Sequence, residues 1–167
     1  MRITETVVHQ ADLQRTYAML TNPDYQRLRC ERAGATDETV TVEPAGGDAL
    51  EVTTRRHLPT TGVPDVAKAF VGPTLLVVET VRWGAADADG EREAAMSLDL
   101  PGTPVRFMGG IHLRRGATEG TTEQVVDGDL EANIPFIGKR IEAAVAPQVA
   151  EIVQLEAQVA REWLARG

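Results

Sequence analysis

Aromatic side chains are scarce: three Phe, two Trp and two Tyr make up 4% of the 167 residues. Few large rings are therefore available to fill a concave surface. Cys30 is the only cysteine, which excludes an internal disulfide and points to a reducing compartment. Positive charge is also in deficit, with 17 Lys and Arg against 25 Asp and Glu for a formal charge of -8. Such a field repels phosphates, so neither nucleic acid nor an anionic membrane surface is expected as a partner. Lysine occurs only at positions 68 and 139. Long apolar runs are missing as well; stretches such as Leu75 to Val78 fall far short of the roughly eighteen residues of a membrane-spanning helix. The opening Met1-Arg2-Ile3-Thr4-Glu5-Thr6-Val7 lacks the apolar run of a signal peptide. The expectation is a cytoplasmic protein without a membrane span.

Chemical motifs are equally few. There is no Gly-x-Gly-x-x-Gly, no phosphate loop and no Gly-x-Ser-x-Gly elbow. His9, His57 and His112 fall on three separate strand runs with no metal-ligand spacing, and Cys30 has no nearby partner, so neither a metal nor a cofactor is expected.

What is present is periodicity. Ile3 to His9 alternates as a strand, and Asp12 to Leu20 carries Leu13, Tyr17 and Leu20 at helical spacing. Asn22-Pro23-Asp24 is an N-cap with proline at the first helical position, so a second short helix should run from about Pro23 to Arg32 and stop at Gly34. From Thr36 to Ile134 the pattern is period two, broken about every ten residues by turn clusters, as in an antiparallel meander. The runs are Thr39 to Glu43, Ala49 to Leu58, Thr74 to Trp83, Arg92 to Leu100, Val105 to Arg115 and Thr121 to Ile134. Pro59 to Pro73, too long for a hairpin loop, is a candidate lid containing Phe70.

The chain ends in one long helix from about Ile137 to Ala165. At about 100° per residue, Ile137, Ile141, Val145, Ile152, Leu155, Val159 and Trp163 fall along one line, the expected buried face. Pro147 should kink this helix, and Gln148 lies on the apolar line.

This order of elements, together with Tyr17-Ala18-Met19-Leu20-Thr21-Asn22-Pro23, resembles the START-like (SRPBCC) superfamily, which includes lipid-transfer domains, pollen-allergen-like proteins and polyketide cyclases. Phe70-Val71-Gly72, Glu79-Thr80-Val81-Arg82-Trp83 and Ile134-Pro135-Phe136-Ile137-Gly138-Lys139-Arg140-Ile141-Glu142 look like a bacterial START-like family of unknown function. The resemblance implies one α+β domain over residues 1–167 with the helix-grip fold. That fold is a curved seven-stranded antiparallel sheet around a long C-terminal helix, with two short helices after strand 1. It further implies a cavity between sheet and helix that holds a hydrophobic small molecule. Fold alone does not fix function, because the scaffold hosts carriers, receptors and cyclases.

The candidate site residues follow from alternation. Arg56 shares a strand face with Leu50, Val52, Thr54 and Leu58, and Glu79 shares one with Leu75, Val77, Val81 and Trp83. On paired strands the two charges meet beside the cavity and can bind a polar ligand group, or leave Glu79 as a base with a raised pKa. The alternative places Leu76, Val78 and Thr80 inward and Glu79 in solvent. Gln148 either orients a ligand or satisfies a helix carbonyl next to Pro147. Trp83, Phe107, Ile111, Ile152, Leu155 and Val159 are the expected apolar wall, or else simply fill the space, and Phe70 closes the mouth. Gly109-Gly110 marks a bulge or tight curvature. Asp127, Asp129 and Glu131 form a solvated strand face.

Three readings remain open on sequence alone. The first is a carrier or binding protein for a lipid or polyketide-like molecule, without catalysis. The second is a cyclase or dehydratase acting on a polyketide-like substrate. The third is an interaction module, a homodimer included, using Ala143, Ala146, Ala150, Val153 and Ala157 as an outward face of small residues.

Overall fold

The computed structural model describes residues 1–167. In chain order the elements are β1 (Arg2–His9), α1 (Leu13–Leu20), α2 (Pro23–Arg32), β2 (Thr36–Gly46), β3 (Ala49–Pro59), α3 (Asp65–Lys68), β4 (Thr74–Trp83), β5 (Arg92–Asp99), β6 (Val105–Arg115), β7 (Thr122–Ala132) and α4 (Gly138–Ala165). The strands form one curved antiparallel sheet in the order β1-β7-β6-β5-β4-β3-β2. This is the helix-grip arrangement expected from the order of elements, and no helix is long and apolar enough to cross a membrane.

The short helices start where their caps dictate. Asp12 Oδ1 accepts from the Arg15 amide at 2.8 Å at the head of α1, and Asn22 Oδ1 accepts from Asp24 and Tyr25 at the head of α2, with Pro23 at its first position. Gly34, at φ +73°, takes the left-handed conformation that ends α2 and turns the chain into β2. The Pro59–Pro73 stretch holds only the four-residue α3, tied across its base by Thr60 Oγ1 donating to Gly72 O at 2.7 Å.

Gly109 and Gly128 face each other across β6 and β7, in a ladder whose register is uninterrupted. A Cβ on Gly128 would lie 2.5 Å from Met108 O and from the Phe107 ring, so close approach and curvature, not a bulge, account for the glycines.

The long helix differs from its sequence reading in rotation. Ile152, expected inside, is 43% exposed, whereas Val153 and Ala157, expected on the outer face, are buried. Ala146 likewise packs with Val145 and Val149 against Ile3, Phe107 and Leu130. By the 100° rule the centre of the observed inner face lies near Glu156, about 60° from the line through the large aliphatics. The reason is steric. A helix lying on a concave sheet approaches it most closely where its side chains are small, so Ala146, Ala157 and Ala160 turn inward while Ile152 is left at the margin. Of the small-residue stripe, Val153 and Ala157 are therefore buried, Ala146 and Ala150 half-buried, and Ala143 exposed.

Candidate functional site

Strand alternation sets the first pair of groups. On β4, Val77, Glu79, Val81 and Trp83 are buried and Arg82 is exposed; on β3, Val52, Thr54 and Arg56 are buried and Arg55 is exposed. Register places Thr54 directly opposite Glu79. Arg56 Nη2 then donates to Glu79 Oε2 at 2.9 Å, and its Nη1 donates to Thr54 Oγ1 at 2.5 Å. The inward reading of Glu79 is thus the observed one, with 4% of the residue exposed.

Two further charges complete the cluster, and neither was singled out from sequence. Arg29, on α2, donates from Nη2 to Glu79 Oε1 at 2.8 Å and from Nη1 to Glu156 Oε1 at 2.9 Å. Glu156 comes from the inner face of α4, so the quartet ties sheet, α2 and α4 together. Two carboxylates against two guanidiniums give no net charge. A second ion pair, Arg32 to Glu162 at 2.6 Å, joins the same two helices.

The electrostatics follow from this geometry. Burial alone would push the Glu79 carboxyl up, but the guanidiniums of Arg29 and Arg56 outweigh it and hold it at about 2. With both oxygens engaged and so low a pKa, Glu79 is an anchor for cations and a poor general base. Burial pushes Glu156 up, and the neighbouring Glu79 charge adds to the effect; its side chain keeps 28% of its exposure. For Arg29, burial opposes the charged form, but Glu156 and Glu79 prevail and raise its pKa. His9 is held below its ordinary value by burial, partly offset by its 2.8 Å hydrogen bond with Gln124 Oε1.

A cavity of about 50 Å³ adjoins this quartet. Seventeen residues line it and eleven are hydrophobic, so anything it holds must be mainly apolar. Arg29, Glu79 and Glu156 border it alongside Val81, Trp83 and Ile111, with His9, Gln26 and Gln124 adding polar atoms. Trp83 is held edge-on to Tyr17 at 5.5 Å, and the Arg92 guanidinium stacks over Tyr17 at 3.8 Å. A volume of about 50 Å³ fits a few waters, so α2 and α4 fill most of the concavity that the scarcity of aromatics led us to expect empty.

Of the nine residues singled out, Glu79, Trp83 and Ile111 line the cavity, and Arg56 stands behind Glu79. Phe107 is buried elsewhere, against Ile3 and Leu130, because Gly128 leaves room beneath its ring. Leu155 packs against the Met19, Tyr25 and Val159 cluster. Phe70 packs with Ala67, Ala132 and Ile141 at the start of α4, away from the cavity lining. Ile152 is displaced outward by the rotation of the helix. The Gln148 amide lies against the carbonyls of its own helix, and with its nitrogen assigned to that side it donates to Ala144 O at 3.0 Å and Val145 O at 3.2 Å.

Solved structures with the same architecture define the class. A START superfamily protein from Mycobacterium smegmatis superposes with a TM-score of 0.59 at 12% identity, covering 98% of each chain. The Zhui aromatase/cyclase from Streptomyces sp. R1128 superposes at 0.57 with 15% identity, over 100% of this chain and 98% of its own. The fold is therefore START-like. Residues 4–164 match the family described as "Protein of unknown function (DUF2505)", and the chain belongs to that family. The uncharacterized proteins Mb0491c of Mycobacterium bovis and Rv0481c of Mycobacterium tuberculosis are each 20% identical to it over 161 residues, 93% of this chain and 92% of theirs.

Proposed function

We propose that this protein is a cytoplasmic single-domain binding or carrier protein for a hydrophobic small molecule, lipid or polyketide-like, held between the sheet and α4. The observation that supports this most is the juxtaposition of a mainly apolar cavity with a buried, charge-neutral Arg56–Glu79–Arg29–Glu156 quartet on its wall. Apolar walls with a few convergent polar groups are how small-molecule sites combine affinity with orientation. The cavity of about 50 Å³ is far below the roughly 300–1,000 Å³ that drug-sized ligands occupy, so loading requires α2 or α4 to move away from the sheet. Native mass spectrometry of the purified protein tests the proposal. A co-purified organic ligand released on denaturation supports it, whereas an apo mass together with no saturable uptake of any apolar probe refutes it.

A second reading, an enzyme of cyclase or dehydratase type, is favoured by one observation: the Glu156 carboxyl borders the same cavity and sits above its ordinary range. In that case Glu156, and not Glu79, is the group able to exchange a proton. Turnover of a polyketide-like substrate that is lost in Glu156→Gln would support this reading.

A further inference from the structure

Gln26 and Arg29 stand one helical turn apart on α2, and both line the cavity. Gln26 is only 4% exposed; its Nε2 donates to Leu20 O at 2.6 Å, which fixes the amide and leaves Oε1 a buried acceptor without a partner. Arg29 commits both Nη atoms to Glu79 and Glu156 and leaves Nε–H a buried donor without a partner. Buried polar atoms are normally paired, so an open acceptor and an open donor on two cavity-lining residues one helical turn apart call for an explanation.

We propose that this pair recognises the hydroxyl group of a neutral, otherwise apolar ligand. The hydroxyl hydrogen is donated to Gln26 Oε1, and the hydroxyl oxygen accepts from Arg29 Nε–H. This rests on the small-molecule reading above and adds the chemical class, an alcohol or phenol. A hydroxyl is the smallest group that both donates and accepts. A carboxylate has no hydrogen for Gln26 Oε1 and would bring a third negative charge to a quartet already balanced. An ammonium group has no lone pair for Arg29 and would meet its positive charge. A ketone satisfies Arg29 alone. The apolar body of the ligand then lies toward Val81, Trp83 and Ile111 on the sheet.

Phenol and toluene test this directly. They are nearly equal in size, so the work of widening the cavity is common to both and cancels in the ratio of their Kd values. Without a polar partner toluene would bind the tighter, because phenol gives up hydrogen bonds to water. Titration by NMR shift perturbation is expected to show phenol binding about tenfold more tightly than toluene, the scale of one hydrogen bond to a charged donor. Gln26→Leu is expected to abolish that preference. Saturable binding of either probe with a ratio near one or favouring toluene, or of benzoate as tightly as phenol, overturns the hydroxyl assignment and leaves the carrier reading standing. Saturable binding of none of the three overturns both. The wild-type ratio decides the question whether or not Gln26→Leu folds.

Discussion

Glu79 and Glu156 share one guanidinium: Arg29 spans them, with Nη2 2.8 Å from Glu79 Oε1 and Nη1 2.9 Å from Glu156 Oε1. A strand in the sheet and the long helix are thereby joined through a residue of α2, at the wall of the cavity. Removing Arg29 leaves two carboxylates near each other with only Arg56 to balance them. Arg29→Met is expected to cost about 3–5 kcal/mol of unfolding free energy, the usual scale for breaking a buried pair. Urea denaturation measures it, and a loss under about 1 kcal/mol would mean that water replaces the guanidinium at little cost.

Acid should unfold the protein through Glu79. Its folded pKa of about 2 lies below the ordinary 4.5, so its stabilisation is complete above about pH 4.5 and is lost as pH falls through 2. The effect is on the order of 3 kcal/mol. Glu156 has the opposite sign: with its folded pKa raised, it favours the folded state at low pH, and that contribution is lost as pH rises through the raised value. Glu79→Gln should therefore flatten the stability profile between about pH 4.5 and 2, and Glu156→Gln should remove a loss of stability that sets in as pH rises above about 4.5. Thermal unfolding of the three proteins from acid to neutral pH checks both signs.

The two halves of this cluster were not equally legible in the sequence. Glu79 and Arg56 are candidates because strand alternation has only two choices; for Glu79 both faces carry apolar neighbours, so the sequence leaves the choice open and the burial of Val77, Glu79 and Val81 makes it. Arg29 is not one, because α2 reads Pro-Asp-Tyr-Gln-Arg-Leu-Arg-Cys-Glu-Arg, and so polar a helix has no stripe to show which side faces the core. Glu156 was hidden for a different reason. The large aliphatics of α4 fall on one line and point to an inner face, whereas the buried side chains centre on small residues and so admit a carboxylate between Val153 and Ala160. Its neighbours at i−3, i+1 and i+4, Val153, Ala157 and Ala160, carried that signal. The bounds of the other strands, by contrast, are readable from alternation and turn clusters to within two residues, whereas β2 runs Thr36–Gly46, past both ends of the Thr39 to Glu43 run and into the Pro44–Gly46 cluster that reads as a break.

Sheet curvature at Gly128 should be intolerant of a methyl group. Gly128→Ala places Cβ against Met108 O and the Phe107 ring, where backbone cannot yield as a flexible side chain would. A loss of about 1–3 kcal/mol is expected, the range for overpacking a close-packed interior. Chemical denaturation tests this, and an unchanged midpoint would mean that β6 and β7 separate freely.

Gln148→Leu should leave ligand binding unaltered, because its amide is committed to Ala144 O and Val145 O. The stability change should stay within about 1 kcal/mol, the net worth of an ordinary hydrogen bond. Kd values for an apolar probe in the two proteins provide the comparison, and a tenfold weakening would put Gln148 in the site.

Whether the space beside the quartet is a binding cavity is tested most directly by filling it. Ala157 is buried on the inner face of α4 and lines the cavity, so Ala157→Phe puts a ring into that space. The expected result is one-to-one, saturable uptake of an environment-sensitive apolar dye by the wild type and its loss in folded Ala157→Phe. Equal uptake by both proteins, or none by the wild type, would contradict a ligand site between sheet and helix.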